Sequence, residues 1–496
     1  MVRLTAADTA ALSGVPVPQY AREGAVPGIV HFGVGNFHRA HEAMYIDRVL
    51  NADPSASWGI CGVGVLTFDE RMRDVLREQD GLYTLVTKRP DGGSEARVIG
   101  SIVEYLYAPE DRDAVIERLA APSTRIVSLT ITEGGYSVDD TTGEFDPTSP
   151  AIAADLASDG PPQTAFGLIT EALRRRHSRG VPAFTIMSCD NIQGNGHVAK
   201  TALTAFAKLK DPVLGQWVED SVAFPNSMVD RITPVTTSAG IEEVAREYGI
   251  EDAWPVLSEA YEQWVLEDDF PFGRPDFAAV GVQLVPKVLP YELMKLRLLN
   301  ASHQAMSYLG ILAGYSMVHE VVRTELFADF LRGYMTAEAM PTLDPVPGVD
   351  LLAYREELIA RFSSEAIADT LARQVVDGSD RMAKFIVPVL TAQLRSDGPI
   401  EHIALVIAAW SRYLEGTDEA GNVIIPTDRR AASVVAAAEE ESHTPGAFLS
   451  LAEVFGQLGG NERLQEAFLR ARGRLRELGA EGAIAEVNDR TASATG

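Results

Sequence analysis

The segment Gly28–Leu50, GIVHFGVGNFHRAHEAMYIDRVL, constrains the fold more than any other part of the chain. It reads as an apolar strand, a turn carrying Gly33 and Gly35, and a segment of helical periodicity after Phe37. Two glycines there allow a tight reversal and a close approach of backbone to a pyrophosphate at the start of the next helix. Gly33-Val34-Gly35-Asn36-Phe37-His38 therefore predicts a dinucleotide site, although His38 stands where the usual fingerprint has its third glycine. A tight strand-to-helix turn without a ligand is the other reading of the same pattern. His38, Arg39 and His41 follow as candidate cationic partners of the phosphates.

More strands are needed to make a sheet, and the sequence supplies them. WGICGVGV (58–65), RIVSLTIT (125–132) and AFTIMSC (183–189) are short apolar runs, and a helical segment near 163–177 precedes the last. YTLVTKR (83–89) and ARVIGSIV (96–103) flank Pro90-Asp91-Gly92-Gly93 and predict a β-hairpin. Residues 1–27 read as polar and irregular. Strands alternating with helices predict an α/β unit over 1–285 with a mostly parallel sheet covered on both faces. From Leu289 the pattern changes. LPYELMKLRLLNASHQAMSYLGILAG (289–314) predicts one long helix with Pro290 near its start. The remainder repeats Ala, Leu, Arg and Glu at helical spacing, so 286–496 reads as a mostly α-helical substrate and catalytic domain ending in a frayed tail at 489–496.

The first strands place further candidates. Asp69 follows the second strand, where an acidic residue binds the adenosine ribose, though it lies farther than the usual ~20 residues from the glycines. Glu133 and Asn191 follow RIVSLTIT and AFTIMSC. Both fall at the carboxyl ends of parallel strands, where ligands of open α/β sheets bind. Loop capping is the alternative for each.

The 289–314 helix carries the catalytic candidates. At about 100° per residue, with Lys295 as zero, Asn300 falls near 140°, His303 near 80° and Glu292 near 60°. One face thus gathers an amine, an amide, an imidazole and a carboxylate on an otherwise apolar helix. A partly exposed amphipathic helix is the bland alternative. Only seven of the 43 basic residues are lysines, so a lysine within an apolar segment is unusual here. Oxidising an alcohol requires removal of its proton as hydride leaves carbon. A lysine can accept that proton once its amine is neutral, and burial favours the neutral form. An amide such as Asn300 or Asn191 can stabilise the developing alkoxide. Tyr291-x-x-x-Lys295 also fits the short-chain dehydrogenase pattern, but it lies far from the glycine turn and outside its domain. A zinc-dependent route is disfavoured, since Cys61 and Cys189 stand alone and no His-Glu-x-x-His run occurs.

Net charge is -27, which repels nucleic acid and anionic lipid, so neither is an expected partner. Two cysteines exclude a disulfide framework. The stretch MVRLTAADTAALSG has no apolar core of a leader, and no apolar run reaches spanning length. The expected location is the cytoplasm.

HFGVGNFHRAH (31–41), QDGLYTL (79–85), SLTITEGGY (128–136), FPNSMVDRITP (224–234) and Lys295-x4-Asn300-x2-His303 together resemble the polyol-specific long-chain dehydrogenase/reductase family over about 28–480. The resemblance implies a Rossmann-like NAD-binding domain over 1–285, a mostly α-helical substrate and catalytic domain over 286–496, and a metal-free, NAD-dependent interconversion of a polyol and a ketose, foremost D-mannitol and D-fructose. Fructuronate reduction to D-mannonate, D-arabinitol 4-dehydrogenation and glucitol dehydrogenation are the alternatives. It implies Lys295 as general base, Asn191 and Asn300 on the reacting oxygen, and His303 as a substrate-orienting residue. Asp230, Arg373 and Arg381 fall where such enzymes hold polyol hydroxyls, with Lys384 competing for the last place. Glu133 and Glu292 are candidates for relaying the proton. The resemblance also implies a monomer.

Overall fold

The computed structural model describes residues 1–139 and 142–495. The chain divides into two compact units, Met1–Arg89 with Gly93–Leu289, and Pro290–Gly496 with Pro90–Gly92.

The first unit is built on five parallel strands. Their spatial order is Ile102–Tyr107, Gly59–Gly64, Pro27–Phe32, Ile126–Leu129, Thr185–Ser188. In chain order that is the 3-2-1-4-5 arrangement of a doubly wound dinucleotide-binding sheet. The order reverses beside Pro27–Phe32, the strand that leads into the glycine turn. Successive side chains of a strand face opposite ways, and the core shows it. Val30, Phe32 and Val127 pack with Leu119, Leu173 and Leu203 on one face. Ile29, Ile60 and Ile126 pack with Ala43, Ile46 and Leu50 on the other.

Two details differ from the sequence reading. The hairpin pairs Tyr83–Lys88 with Ser94–Ile99, but its second arm stops at Ile99, and Ile102–Tyr107 is a separate strand of the central sheet. The break falls at Gly100, whose N–H donates to the buried Asp47 Oδ1 at 3.0 Å. The helix after the glycine turn is also interrupted. It runs Asn36–Ala40, breaks at His41 (φ -123°, ψ -96°), and resumes at Glu42–Ala52. Three small sheets complete the unit; one pairs Val2–Arg3 with Ile250–Glu251, so the stretch 1–27, expected to be irregular, begins with a short strand. Val256–Glu259 adds to the hairpin, and Gln263–Glu267 lies between Ser227–Asp230 and Gln283–Val285.

The second unit is helical apart from isolated bridges such as Met317–Thr370. Its central helices Ala301–Leu312 and Glu401–Tyr413 pack together, and Glu401–Tyr413 packs on the C-terminal helix Glu462–Thr495. That last element breaks at Gly479 (φ 72°, ψ 179°) and is helical again to Thr495, in place of the frayed tail expected from 489; Gly496 lies outside the described residues. The expected single helix at 289–314 is composite: α-helix Leu289–Met294, a π-helical turn Lys295–Asn300, then α-helix Ala301–Leu312. The start of Glu401–Tyr413 is capped from another element. The fully buried Glu338 carboxylate accepts the His402 N–H at 2.7 Å and the Ile403 N–H at 2.9 Å. Among the described residues no helix is long and apolar enough to cross a membrane.

Candidate active site and dinucleotide turn

In the glycine turn the two glycines do different work. Gly33 has φ +91°, and a Cβ there would lie 2.1 Å from the Thr130 carbonyl oxygen, so backbone conformation and packing both demand glycine. Gly35 has φ -106°, which any residue adopts, and a Cβ there would meet nothing nearer than 3.8 Å. The space beside Gly35 is open on the ligand side, as close approach of a pyrophosphate requires. Asn36 donates through Nδ2 to the Pro234 carbonyl at 3.1 Å and to Thr236 Oγ1 at 3.0 Å, which anchors the start of the helix. Phe37 stacks on His41 with centroids 5.0 Å apart.

The basic residues after the turn, His38, Arg39 and His41, are all buried. Arg39 is fully buried and donates to the Trp254 carbonyl at 2.5 Å and to Asn36 Oδ1 at 2.8 Å, with Tyr83 and Trp254 rings beside it. It braces the fold. His38 is buried, and burial holds its pKa well below the ordinary range. His41 meets the Gln263 carbonyl oxygen through Nε2 at 3.1 Å.

Asp69 ends the short turn Thr67–Asp69 that follows the Gly59–Gly64 strand. Its Oδ2 accepts the N–H groups of Val65 and Leu66 at 2.8 and 2.9 Å. One oxygen is thus held by backbone, which fixes the orientation of the other.

At the carboxyl ends of the next two strands, Glu133 and Asn191 are both exposed. The residue that organises them escaped the sequence reading. Asp190, buried, accepts the Ile131 and Thr132 N–H groups at 3.0 and 2.8 Å and the Tyr136 hydroxyl at 2.6 Å. Burial raises its pKa, and these hydrogen bonds oppose the rise. Thr132 sits at φ 61°, so a strained residue immediately precedes Glu133. The available signal was an acid at a strand end, one residue before Asn191. Asp230 ends the strand Ser227–Asp230 and is 4% exposed.

In the helical unit, Glu292, Lys295 and His303 are buried, and Asn300 is half-buried. Hydrogen bonds in a π-helix join residues five apart, so Lys295 and Asn300 span one turn. Asn300 Oδ1 and His303 Nε2 are buried polar atoms without a hydrogen-bond partner among the described residues. Such atoms are costly unless a ligand meets them. His303 packs on Phe362 with centroids 4.6 Å apart. Its pKa is lowered to about 4, chiefly by burial; Asp369 opposes the shift, and Arg373, Arg361 and Arg381 reinforce it. Arg373 makes a two-pronged pair with Asp369, Nε and Nη2 each 2.8 Å from a carboxylate oxygen. Its i−4 spacing was the sequence signal for Asp369. Arg381 donates through Nε to the Val376 carbonyl at 2.7 Å. Lys384 lies in another π-helical turn, Met382–Ile386, which packs on Lys295–Asn300. Tyr291, the rival acid–base group, gives its hydroxyl proton to the Pro347 carbonyl at 2.8 Å.

Comparison with known proteins gives this arrangement a family. The chain is 44% identical to mannitol 2-dehydrogenase of Phaeosphaeria nodorum, covering 98% of this chain and 85% of that protein. It is 45% identical to mannitol 2-dehydrogenase of Emericella nidulans, with 91% of each covered. Among solved structures, it resembles Pseudomonas fluorescens mannitol 2-dehydrogenase in ternary complex with NAD and D-mannitol, with TM-score 0.88, 44% identity, and 98% and 99% of the two chains covered. It also resembles a substrate-free D-sorbitol dehydrogenase, with TM-score 0.89, 38% identity, and 96% and 98% covered. The family model described as mannitol dehydrogenase Rossmann domain matches residues 27–279, and that described as mannitol dehydrogenase C-terminal domain matches 287–475. The chain belongs to the mannitol dehydrogenase family.

Proposed function

We propose that this protein is an NAD-dependent polyol dehydrogenase that interconverts D-mannitol and D-fructose, with Lys295 as general base and no metal. The observation that carries the reading is the 44% identity, over nearly the whole chain, to an enzyme solved with NAD and D-mannitol. NAD, when bound, accepts the hydride. The glycine turn receives its pyrophosphate, and Asp69 holds the adenosine ribose.

The remaining work falls to side chains. Lys295 takes the hydroxyl proton in oxidation and returns it in reduction. Asn191 and Asn300 donate hydrogen bonds to the reacting oxygen and stabilise its negative charge. His303, as a neutral ring, orients the substrate by hydrogen bonding. Asp230, Arg373 and Arg381 hold the other hydroxyls. Glu292, one helical turn before Lys295, passes the proton to solvent, with Glu133 the alternative carrier. A lysine base and two amides supply what a metal would otherwise provide, so prolonged dialysis against a strong chelator should leave turnover intact. Loss of activity that returned on adding zinc would overturn this part. The protein is further proposed to act as a cytoplasmic monomer.

The likeness to a D-sorbitol dehydrogenase favours glucitol as the second candidate substrate. Initial rates with mannitol, glucitol, arabinitol, fructose and fructuronate, each with both nicotinamide cofactors, decide between them. A clear preference for fructuronate or glucitol would move the assignment within the family.

A further inference from the structure

A buried chain of polar contacts underlies the glycine turn, and none of the roles above uses it. The Thr130 hydroxyl donates to the Gly33 carbonyl at 2.7 Å, and His31 Nε2 lies 2.9 Å from the same Thr130 oxygen. A threonine hydroxyl has one proton to give. It goes to Gly33, so His31 Nε2 must carry a proton and donate to Thr130. On the other side of the ring, Nδ1 faces Ser128 Oγ at 2.8 Å and Glu42 Oε2 at 3.0 Å. His31 and Glu42 are buried, and neither Glu42 oxygen has a hydrogen-bond partner among the described residues. A buried carboxylate is costly without a polar neighbour, and His31 Nδ1 lies 3.0 Å from Glu42 while Nε2 donates to Thr130.

His38 completes the arrangement. Its ring stacks on His31 with centroids 3.5 Å apart and 15° between planes. The ligand atoms of His31, His38 and Glu42 all lie within 4.8 Å of one another, which is metal-like spacing. Both His31 nitrogens, however, already face hydroxyls, Ser128 Oγ and Thr130 Oγ1.

We propose that the buried His31–Glu42 pair is a positioning device for dinucleotide binding. It turns the Thr130 hydroxyl onto the Gly33 carbonyl and so holds the left-handed turn in the shape that receives the pyrophosphate. The proposal rests on the reading of this turn as the NAD site.

Four variants test it: Thr130→Val, Thr130→Ser, Glu42→Gln and Gly35→Val. NAD Kd is read by quenching of protein fluorescence, alongside KM and kcat. Thr130→Val and Glu42→Gln should each raise the NAD Kd up to about tenfold, the scale of one hydrogen bond. The kcat at saturating NAD should fall far less, and Thr130→Ser should bind NAD like the parent. Gly35→Val should abolish NAD binding, because its side chain enters the open space beside the turn. If Gly35→Val binds NAD normally, the turn is not the NAD site and the underlying reading fails with the proposal. If Gly35→Val is blocked while Thr130→Val and Glu42→Gln bind NAD normally, the positioning role alone is overturned. Equal weakening in Thr130→Ser and Thr130→Val would also overturn it, since the hydroxyl would not be the link.

Discussion

Lys295 and Asn300 open and close a single π-helical turn. In a regular α-helix five residues leave their side chains about 140° apart. A π-turn takes more residues per revolution, so it brings Asn300 back toward the face that carries Lys295. The amine and the amide are thereby presented together by one rigid element. Asn300→Ala should lower kcat for mannitol oxidation by about 10²–10³-fold, as for loss of a hydrogen-bond donor to developing negative charge. A kcat close to the parent's would remove Asn300 from that role.

The low pKa of His303 has a consequence for stability. An unfolded histidine titrates near 6.5, whereas burial has moved His303 to about 4. Between those values the unfolded chain binds more protons than the folded one. Stability is therefore complete above the unfolded value and is lost as pH falls through that window. His303→Asn should flatten the loss. Urea midpoints from pH 7 to 4 for parent and variant measure it, and parallel curves would contradict the assignment.

Asp69 should set cofactor choice. One oxygen accepts the Val65 and Leu66 N–H groups, and a 2′-phosphate on a ribose bound here would meet a carboxylate. Asp69→Asn keeps a backbone acceptor while removing the charge, and Asp69→Ala removes both. Both should raise the ratio of NADP to NAD turnover. A ratio equal to the parent's in both variants would show that Asp69 does not contact the ribose.

Glu338 tests the helical unit. Removing its carboxylate leaves the His402 and Ile403 N–H groups buried without an acceptor, at about 1–3 kcal/mol each. Glu338→Ala should lower the urea midpoint markedly, and Glu338→Gln, which keeps a carbonyl oxygen, should lower it less. Equal midpoints for Glu338→Ala and the parent would contradict the capping role.

The sequence exposes those parts of this fold where chemistry leaves few options. Only glycine tolerates φ +91° against the Thr130 carbonyl, so the Gly33 turn was legible, and strands buried on both faces must be apolar throughout. The composite helix was not legible, because no residue type marks a hydrogen bond between residues five apart. Asp190 was missed because an acid after a strand looks the same whether it is solvated or holds two backbone N–H groups. The burial of the basic residues after the turn was not legible either: nothing in the sequence marks that the Arg39 guanidinium donates to the Trp254 carbonyl and Asn36.

The most direct test of the account is the turnover of Lys295→Ala in NAD-linked mannitol oxidation, measured beside Tyr291→Phe. Lys295 should be the base, because the Tyr291 hydroxyl is committed to the Pro347 carbonyl. The account predicts a loss of at least ~10²–10⁴-fold for Lys295→Ala, with NAD affinity retained, and a mild effect for Tyr291→Phe. A Lys295→Ala enzyme with near-normal turnover, alongside an inactive Tyr291→Phe, would contradict it.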